Sequence, residues 1–259
     1  MDVIYLDHSK AFDTVPHKRL IKKLAGYNIS GNVLRWISEF LNNRTQRVFV
    51  QNCYSEWAKV TSGVPQGSVL GPVLLALYVN EIPDLVKSTM KMYADDSKLF
   101  GKASTEADTL QIQEDLDVLS KWSEKWLLKF NVSKCKVMHC GRQNPMVKYH
   151  MKQTNGVNME IEVTELEKDL GIYVSNTLMA SINCARVANK AMGALRQLRI
   201  SFDRLTVENF KPLFTTYVRP HLEHCLQATG PYMKRDLKML EKGPKKGYKD
   251  CARTSGQTI

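Results

Sequence analysis

An α+β domain with an antiparallel sheet, followed by a helical region, is the fold class that the sequence predicts. Three observations lead there. Strand-like and helix-like segments mix without the regular alternation of βαβ units. Short apolar runs broken by turn residues sit early in the chain. From Ala180 onward the pattern is helical and strongly basic. The elements follow in order. Asp2 to Asp7 reads as a short buried strand (Val3, Ile4, Tyr5, Leu6) that breaks at Ser9–Asp13 and Pro16. Leu20, Leu24, Val33, Leu34, Ile37 and Leu41 predict two helices between His17 and Leu41, separated near Asn28–Gly31. Alternation from Arg47 to Val60 predicts a hairpin. Ser62-Gly63-Val64-Pro65-Gln66-Gly67 then opens an apolar run to Val79, read as a buried helix. Lys91 to Phe100 reads strand–turn–strand around Asp95-Asp96. Thr105 to Leu128 predicts an amphipathic helix whose apolar stripe is Leu110, Leu116, Leu119, Trp122 and Trp126. Strands are expected at Lys136–Cys140 and Leu170–Val174, and two or three helices after Ala180. The segment from about Gly243 lacks a clear period and is set apart as a divergent basic tail.

Composition narrows the function classes. The chain has 259 residues, ample for a buried core, and a formal charge of +11 that points to a polyanionic partner. That charge is uneven: residues 1–175 carry a net +2 and residues 176–259 a net +9. The longest apolar stretch, around Val69 to Val79, holds Gly71 and Pro72 and falls far short of the roughly 20 residues that span a bilayer. Met1 leads directly into Asp2 with no basic-then-apolar leader, so no secretory signal and an intracellular place, nucleus or cytoplasm, are expected. The six cysteines form no CxxC pair, and buried or free thiols are the simpler reading.

Two acidic sites carry chemistry. Asp7 ends a buried strand, and Asp95-Asp96 occupies a tight turn between Met92-Tyr93-Ala94 and Leu99-Phe100. Adjacent carboxylates repel, and apolar flanks raise the cost of ionising both. A cation relieves that cost. If the first strand lies beside this hairpin, the carboxylates converge and suit two Mg²⁺ ions, which take oxygen ligands and leave positions open for phosphate. A solvated acidic turn is the alternative, since turns favour Asp.

The surrounding strings resemble a reverse transcriptase, close in wording to the non-LTR (LINE-type, jockey-like) retrotransposon polymerases. They are LDHSKAFDTVPH (Leu6–His17), SGVPQGSVLGP (Ser62–Pro72), YADDSKLF (Tyr93–Phe100), NVSKCKVM (Asn131–Met138) and DLGIYVS (Asp169–Ser175). They resemble the family's palm motifs A to E in order, and YVRPHLEHC (Tyr217–Cys225) resembles a thumb segment. The resemblance implies a right-hand polymerase palm over residues 1–175 with partial fingers, a thumb-like helical region over 176–240 and the tail over 241–259. The chain opens at motif A, which implies a domain truncated at its N-terminal fingers. The implied activity is RNA-directed DNA polymerisation, with an RNA template, a DNA primer and dNTPs as partners. The implied cofactor is a pair of Mg²⁺ ions, Mn²⁺ being able to substitute. A catalytically silent remnant that binds nucleic acid is the alternative.

The resemblance assigns Asp7, Asp95 and Asp96 as catalytic metal ligands, with the His8 carbonyl able to complete a shell. Phe12 stands where the family has a steric gate against the 2′-hydroxyl, although an aromatic after a strand is also ordinary core. Gln66 and Gly67 resemble the contact to the incoming nucleotide. Lys134 stands at the motif D lysine that can neutralise or protonate pyrophosphate, or is a plain surface lysine. Leu170-Gly171 resembles the primer grip. Lys10 and Asp13 are given only local structural roles. His221, His224 and Cys225 lack a partner pair at zinc-finger spacing. Trp122 and Trp126 are read as core, and Arg186, Lys190, Arg196 and Arg199 as phosphate-tracking.

Overall fold

The computed structural model describes residues 1–153, 156–202 and 206–254. In chain order the first part forms β1 (Asp2–Leu6), α1 (Ala11–Thr14), α2 (His17–Gly26), α3 (Gly31–Leu41), β2 (Thr45–Gln46), β3 (Phe49–Val50), β4 (Cys53–Tyr54), β5 (Ala58–Lys59) and α4 (Leu70–Val79). It continues with β6 (Thr89–Tyr93), β7 (Asp96–Gly101), α5 (Glu106–Trp126), β8 (Lys136–His139), β9 (His150–Lys152), β10 (Asn158–Glu160) and β11 (Glu162–Val163). The second part holds β12 (Leu166–Asp169), β13 (Ile172–Ser175), α6 (Ser181–Ser201), α7 (Val207–Leu213), α8 (Arg219–Glu223), α9 (Leu226–Thr229) and α10 (Lys234–Thr254). The chain divides into two compact units, 1–164 and 165–259, so the boundary precedes the one the sequence places at 175.

The first unit is built on a five-stranded sheet in the order β11-β8-β1-β7-β6. Its pairings are antiparallel except for the parallel contact of β11 with β8. One face of β1 carries Ile4 and Leu6, and β7 sets Leu99 and Ser97 directly opposite them. Ile4, Leu6 and Leu99 join Leu20, Leu24, Leu41, Leu74, Leu75 and Tyr78 in one core, so α2, α3 and α4 cover this face. At the far end of β1, Asp2 is buried and its carboxylate is fully served. It accepts from Asn144 Nδ2 at 2.6 Å and Tyr149 Oη at 2.7 Å, and pairs with His139 Nδ1 at 2.8 Å. Burial, then the Asp2 charge, pushes the Tyr149 hydroxyl above its ordinary pKa.

Helix α5 starts at a capping box. Thr105 Oγ1 accepts from the Asp108 N–H at 3.2 Å, and the Asp108 carboxylate accepts from the Thr105 N–H at 3.0 Å. These backbone donors hold the Asp108 carboxyl below the usual range. Its buried stripe is Ile112, Leu116, Leu119 and Trp122. Leu110 does not belong to that stripe and is 57% exposed. At 3.6 residues per turn it points about 120° away from Leu116. Trp122 and Trp126 are core, as read from the sequence: Trp126 packs edge-on to Tyr78 at 5.8 Å, and Trp122 Nε1 donates to Glu81 Oε1 at 2.7 Å. Helix α4 is buried on one face only, and Val73 on the other is exposed.

In the second unit β12 pairs with β13, and Ala191, Leu195, Leu198, Phe210, Phe214 and Val218 form a separate core. Two expectations change here. Leu170 and Gly171 form the two-residue turn of this hairpin, with φ of 45° and 89°, where a strand through Leu170–Val174 was expected. The chain from Gly243 is also helical, because α10 runs on to Thr254 while packing against α6, and residues 255–259 lie outside the described residues. Tertiary packing overrides the local stop signal of a Gly-Pro pair. Strands β9 to β11 have no counterpart in the sequence reading. No helix among the described residues is long and apolar enough to cross a membrane.

Lys23 is the most demanding group in the core of the first unit. Its ammonium is buried, 4.1 Å from the Trp126 ring centre and 2.9 Å from Glu81 Oε1, and it donates to the Tyr78 carbonyl. Burial lowers its pKa despite Glu81, while Lys23 and Trp122 outweigh burial at Glu81 and hold that carboxyl low. Glu81→Ala strands the ammonium and is expected to cost about 2–3 kcal/mol, Glu81 being partly solvent-screened. Lys23→Met, an apolar chain of similar length among aromatic rings, is expected to cost under about 1.5 kcal/mol. Urea midpoints of the two variants measure the contrast, and the reverse order would contradict it.

Candidate active site

The pairing of β1 with β7 organises the site. Leu6 is level with Ser97, and one more step along that register brings Asp7 level with Asp96. Side chains alternate across a pleated strand, so Leu6 and Ser97 turn into the core while Asp7 and Asp96 take the opposite face. Across the β6–β7 hairpin Tyr93 pairs with Asp96, leaving Ala94 and Asp95 as the turn. Ala94 has a φ of 56°, a left-handed conformation that a Cβ disfavours. The fold holds this strained turn beside Asp7.

Asp7 is fixed from both sides. Its carbonyl accepts from the Asn131 N–H at 2.8 Å, and its carboxylate, 37% exposed, has Lys134 Nζ 3.7 Å away. Lys134 therefore does meet one of the carboxylates. The next residue, His8, is buried and stacked on Phe130 with ring centres 4.3 Å apart. Neither of its ring nitrogens meets a hydrogen-bond partner among the described residues, and burial lowers its pKa to about 4. A neutral, inward-facing imidazole leaves His8 only its backbone to offer a cation. Cys135 lies nearby, and burial pushes its thiol up to about 11 with the Asp7 charge adding to the rise, against a hydrogen bond to the Asp7 backbone.

Asp95 and Asp96 are exposed. Among the described residues, no group of three or more His, Cys, Asp or Glu side chains is gathered tightly enough to hold a metal ion. Thus the backbones converge while the three carboxylates stand apart from a common shell. The donor set still fits hard divalent cations: it is all oxygen, it sits at adjoining strand ends, and the lysine 3.7 Å from Asp7 is exposed. His221, His224 and Cys225 likewise form no such group.

Phe12 and Gln66 meet in a separate cleft of about 510 Å³, lined also by Lys10, Asp13, Arg44 and Lys59. Phe12 sits on α1 and is half-buried against the core. The loop carrying Gln66 is laced to α1: Val64 N–H donates to the Phe12 carbonyl at 2.7 Å and Gly63 N–H to the Val15 carbonyl at 2.8 Å. A Cβ on Gly63 would lie 2.7 Å from the Phe12 and Asp13 carbonyl oxygens. Gly67 lies outside the cleft lining, and its φ of 82° shapes the loop before α4. Arg44 and Lys59 were missed from sequence, and Lys10 was given no chemistry. The signal was available: a hairpin between them must bring its two ends together, and Val60 N–H does donate to the Arg44 carbonyl at 2.9 Å.

In the second unit, Gly171 lines another cleft, of about 690 Å³, with Lys168, Arg186, Lys190, His221 and His224. The Arg186 guanidinium lies 4.0 Å over the Tyr173 ring. The turn proposed to grip the primer, two of the basic helix residues and the HxxH pair thus share one cationic surface.

A family model described as reverse transcriptase (RNA-dependent DNA polymerase) matches residues 3–168. The chain belongs to the reverse transcriptase family. It is 25% identical over 241 residues to the RNA-directed DNA polymerase from the mobile element jockey of Drosophila funebris, covering 87% of this chain and 25% of that one. It is 27% identical over 241 residues, with the same coverage, to the probable RNA-directed DNA polymerase from transposon BS of Drosophila melanogaster. Over 140 residues it is 34% identical to the jockey polymerase of D. melanogaster, covering 51% of this chain and 15% of that one. The chain therefore spans a quarter or less of the length of these relatives. Apo telomerase from Candida tropicalis shares the right-hand fold, with a TM-score of 0.50 at 12% identity over 98% of this chain and 42% of that chain.

The lacing of the Gln66 loop predicts a contrast between two glycines of this chain. Gly63→Ala combines a φ of 88° with contact against two backbone carbonyls and is expected to cost at least about 2 kcal/mol. Gly67→Ala has open space around it and is expected to cost about 1 kcal/mol from backbone conformation alone. Thermal melts of the two variants compare them, and equal losses would contradict the lacing.

Proposed function

We propose that the chain is the catalytic palm of an RNA-directed DNA polymerase, copying an RNA template by adding dNTPs to a DNA primer. The observation that carries this reading is the β1–β7 register, which levels Asp7 with Asp96 beside the turn holding Asp95. The primer 3′-oxygen attacks the α-phosphorus of the dNTP, the bond to pyrophosphate breaks, and the hydroxyl proton is released. Asp7, Asp95 and Asp96 would hold two Mg²⁺ ions, with Mn²⁺ as a substitute. When bound, those cations lower the pKa of the attacking hydroxyl and stabilise the departing pyrophosphate.

The other side chains position and discriminate. Phe12 offers a ring to the sugar, which a 2′-hydroxyl would strike. Gln66 and the Gly67 loop hold the base and sugar of the incoming nucleotide, and Lys10, Arg44 and Lys59 give the same cleft the positive charge that a triphosphate needs. Lys134, 3.7 Å from Asp7, is placed to neutralise or protonate the leaving group. Leu170-Gly171 holds the primer end through its backbone. RNA and dNTP substrates put this work inside the cell, in the nucleus or cytoplasm.

Primer extension on primed RNA with dNTPs and Mg²⁺ or Mn²⁺ tests the reading. Asp95→Asn is expected to lower extension by about 10²–10³-fold or more, and Phe12→Ala to raise incorporation of rNTPs relative to dNTPs. Extension that persists in Asp95→Asn would refute the assignment. A second reading, a nucleic-acid-binding remnant without catalysis, draws on the separation of the three carboxylates. It requires salt-sensitive RNA binding with no incorporation by the wild-type chain.

A further inference from the structure

The segment between Arg44 and Val60 is a narrow hairpin whose aromatic face is left exposed by the described residues. β2 pairs with β5 and β3 with β4, and Gln51-Asn52 close it with φ of 49° and 62°, the turn that suits two twisted strands. Phe49 lies directly across from Tyr54, with ring centres 4.5 Å apart. The Arg47 guanidinium is stacked 3.8 Å over the Tyr54 ring and 4.6 Å over that of Trp57. Phe49, Tyr54 and Trp57 nevertheless remain 54–60% exposed. An isolated two-stranded hairpin is marginal in water, and an exposed aromatic cluster is costly without a purpose.

We propose that this face is a stacking platform for single-stranded nucleic acid. Aromatic faces with a cation between them, set on a positive track, are the chemistry that binds unpaired bases without regard to sequence, since every base has a π-face. Charge complementarity favours a polyanion: Arg44, Arg47 and Lys59 stand against the single acid Glu56 along this segment. Continuity favours it too. Arg44 and Lys59, at the base of the hairpin, line the same cleft as Phe12 and Gln66, and Arg44 Nη2 donates to the Gly63 carbonyl at 3.2 Å. A strand leaving that cleft meets the stacked rings next. That the strand is the unpaired template ahead of the copied base rests on the polymerase reading; the stacking chemistry itself does not.

Fluorescence anisotropy with labelled RNA–DNA duplexes tests the platform on the full chain. One duplex is blunt, and the other carries about eight unpaired template nucleotides, within the span such surfaces cover. The wild type is expected to bind the overhanging duplex about tenfold more tightly. Tyr54→Ala with Trp57→Ala is expected to abolish most of that gain while binding the blunt duplex as the wild type does, which also reports that the fold survives. Tyr54→Phe with Trp57→Phe keeps the rings and is expected to keep the gain. An unchanged gain in the alanine variant, or none in the wild type, overturns the proposal. So does a wild-type dimer that the alanine variant dissolves while the gain persists, which would assign the face to a second copy of the chain. Primer extension in the same samples separates the two readings. Overhang-dependent binding without extension sinks the polymerase reading alone, and extension without an overhang gain sinks the platform alone.

Discussion

One pairing register governs the acidic face of this protein. If β1 slid by a single residue against β7, every side chain on it would change face. Asp7 would turn into a core of Ile, Leu and Tyr side chains, and Leu6 would enter water. Burial of Ile4 and Leu6 on one face thus fixes the position of Asp7 on the other. The carboxylate is specified by its apolar neighbours. The buried Asp2 network pins the far end of the same strand, where a slip would leave that carboxylate without its three partners.

Local strain and buried polar atoms also stand beside the acidic residues. Ala94 holds a left-handed conformation in the turn bearing Asp95, and His8 and Ser97 bury polar atoms without hydrogen-bond partners among the described residues, on the inward face behind the acidic pair. Each departs from what local preference favours. The cleft holding Phe12 and Gln66 is tied by backbone bonds between α1 and the loop before α4, so Phe12, Gln66 and the carboxylates are all positioned within one unit.

Much of this was legible in the sequence, because β1, the β6–β7 turn and α5 carry strong, unambiguous periods. The hairpin after α3 was legible from alternation alone, yet the meeting of Arg44 and Lys59 at its base was not drawn from it. Leu170 misled because Leu-Gly-Ile-Tyr-Val has the composition of a strand, while its positive φ is imposed by the pairing of Asp169 with Ile172. Leu110 was misassigned by counting apolar residues instead of their angles around the helix. Strands β9 to β11 have two or three residues each, too short for any period to show. Lys134 was singled out by motif resemblance alone, since a lone lysine in a turn carries no signal of its own, and its closeness to Asp7 was not drawn from the sequence.

The central claim is that Asp7 and the Ala94–Asp96 bend stand together around divalent cations. Fe²⁺ bound in place of Mg²⁺, with ascorbate and peroxide, cuts backbone within reach of the ion. Two clusters of cuts are expected in one chain, one near Asp7 and one near residues 93–97, both suppressed by excess Mg²⁺ and both lost in Asp7→Asn. Cutting at only one of these segments, or both clusters surviving in Asp7→Asn, would contradict the account.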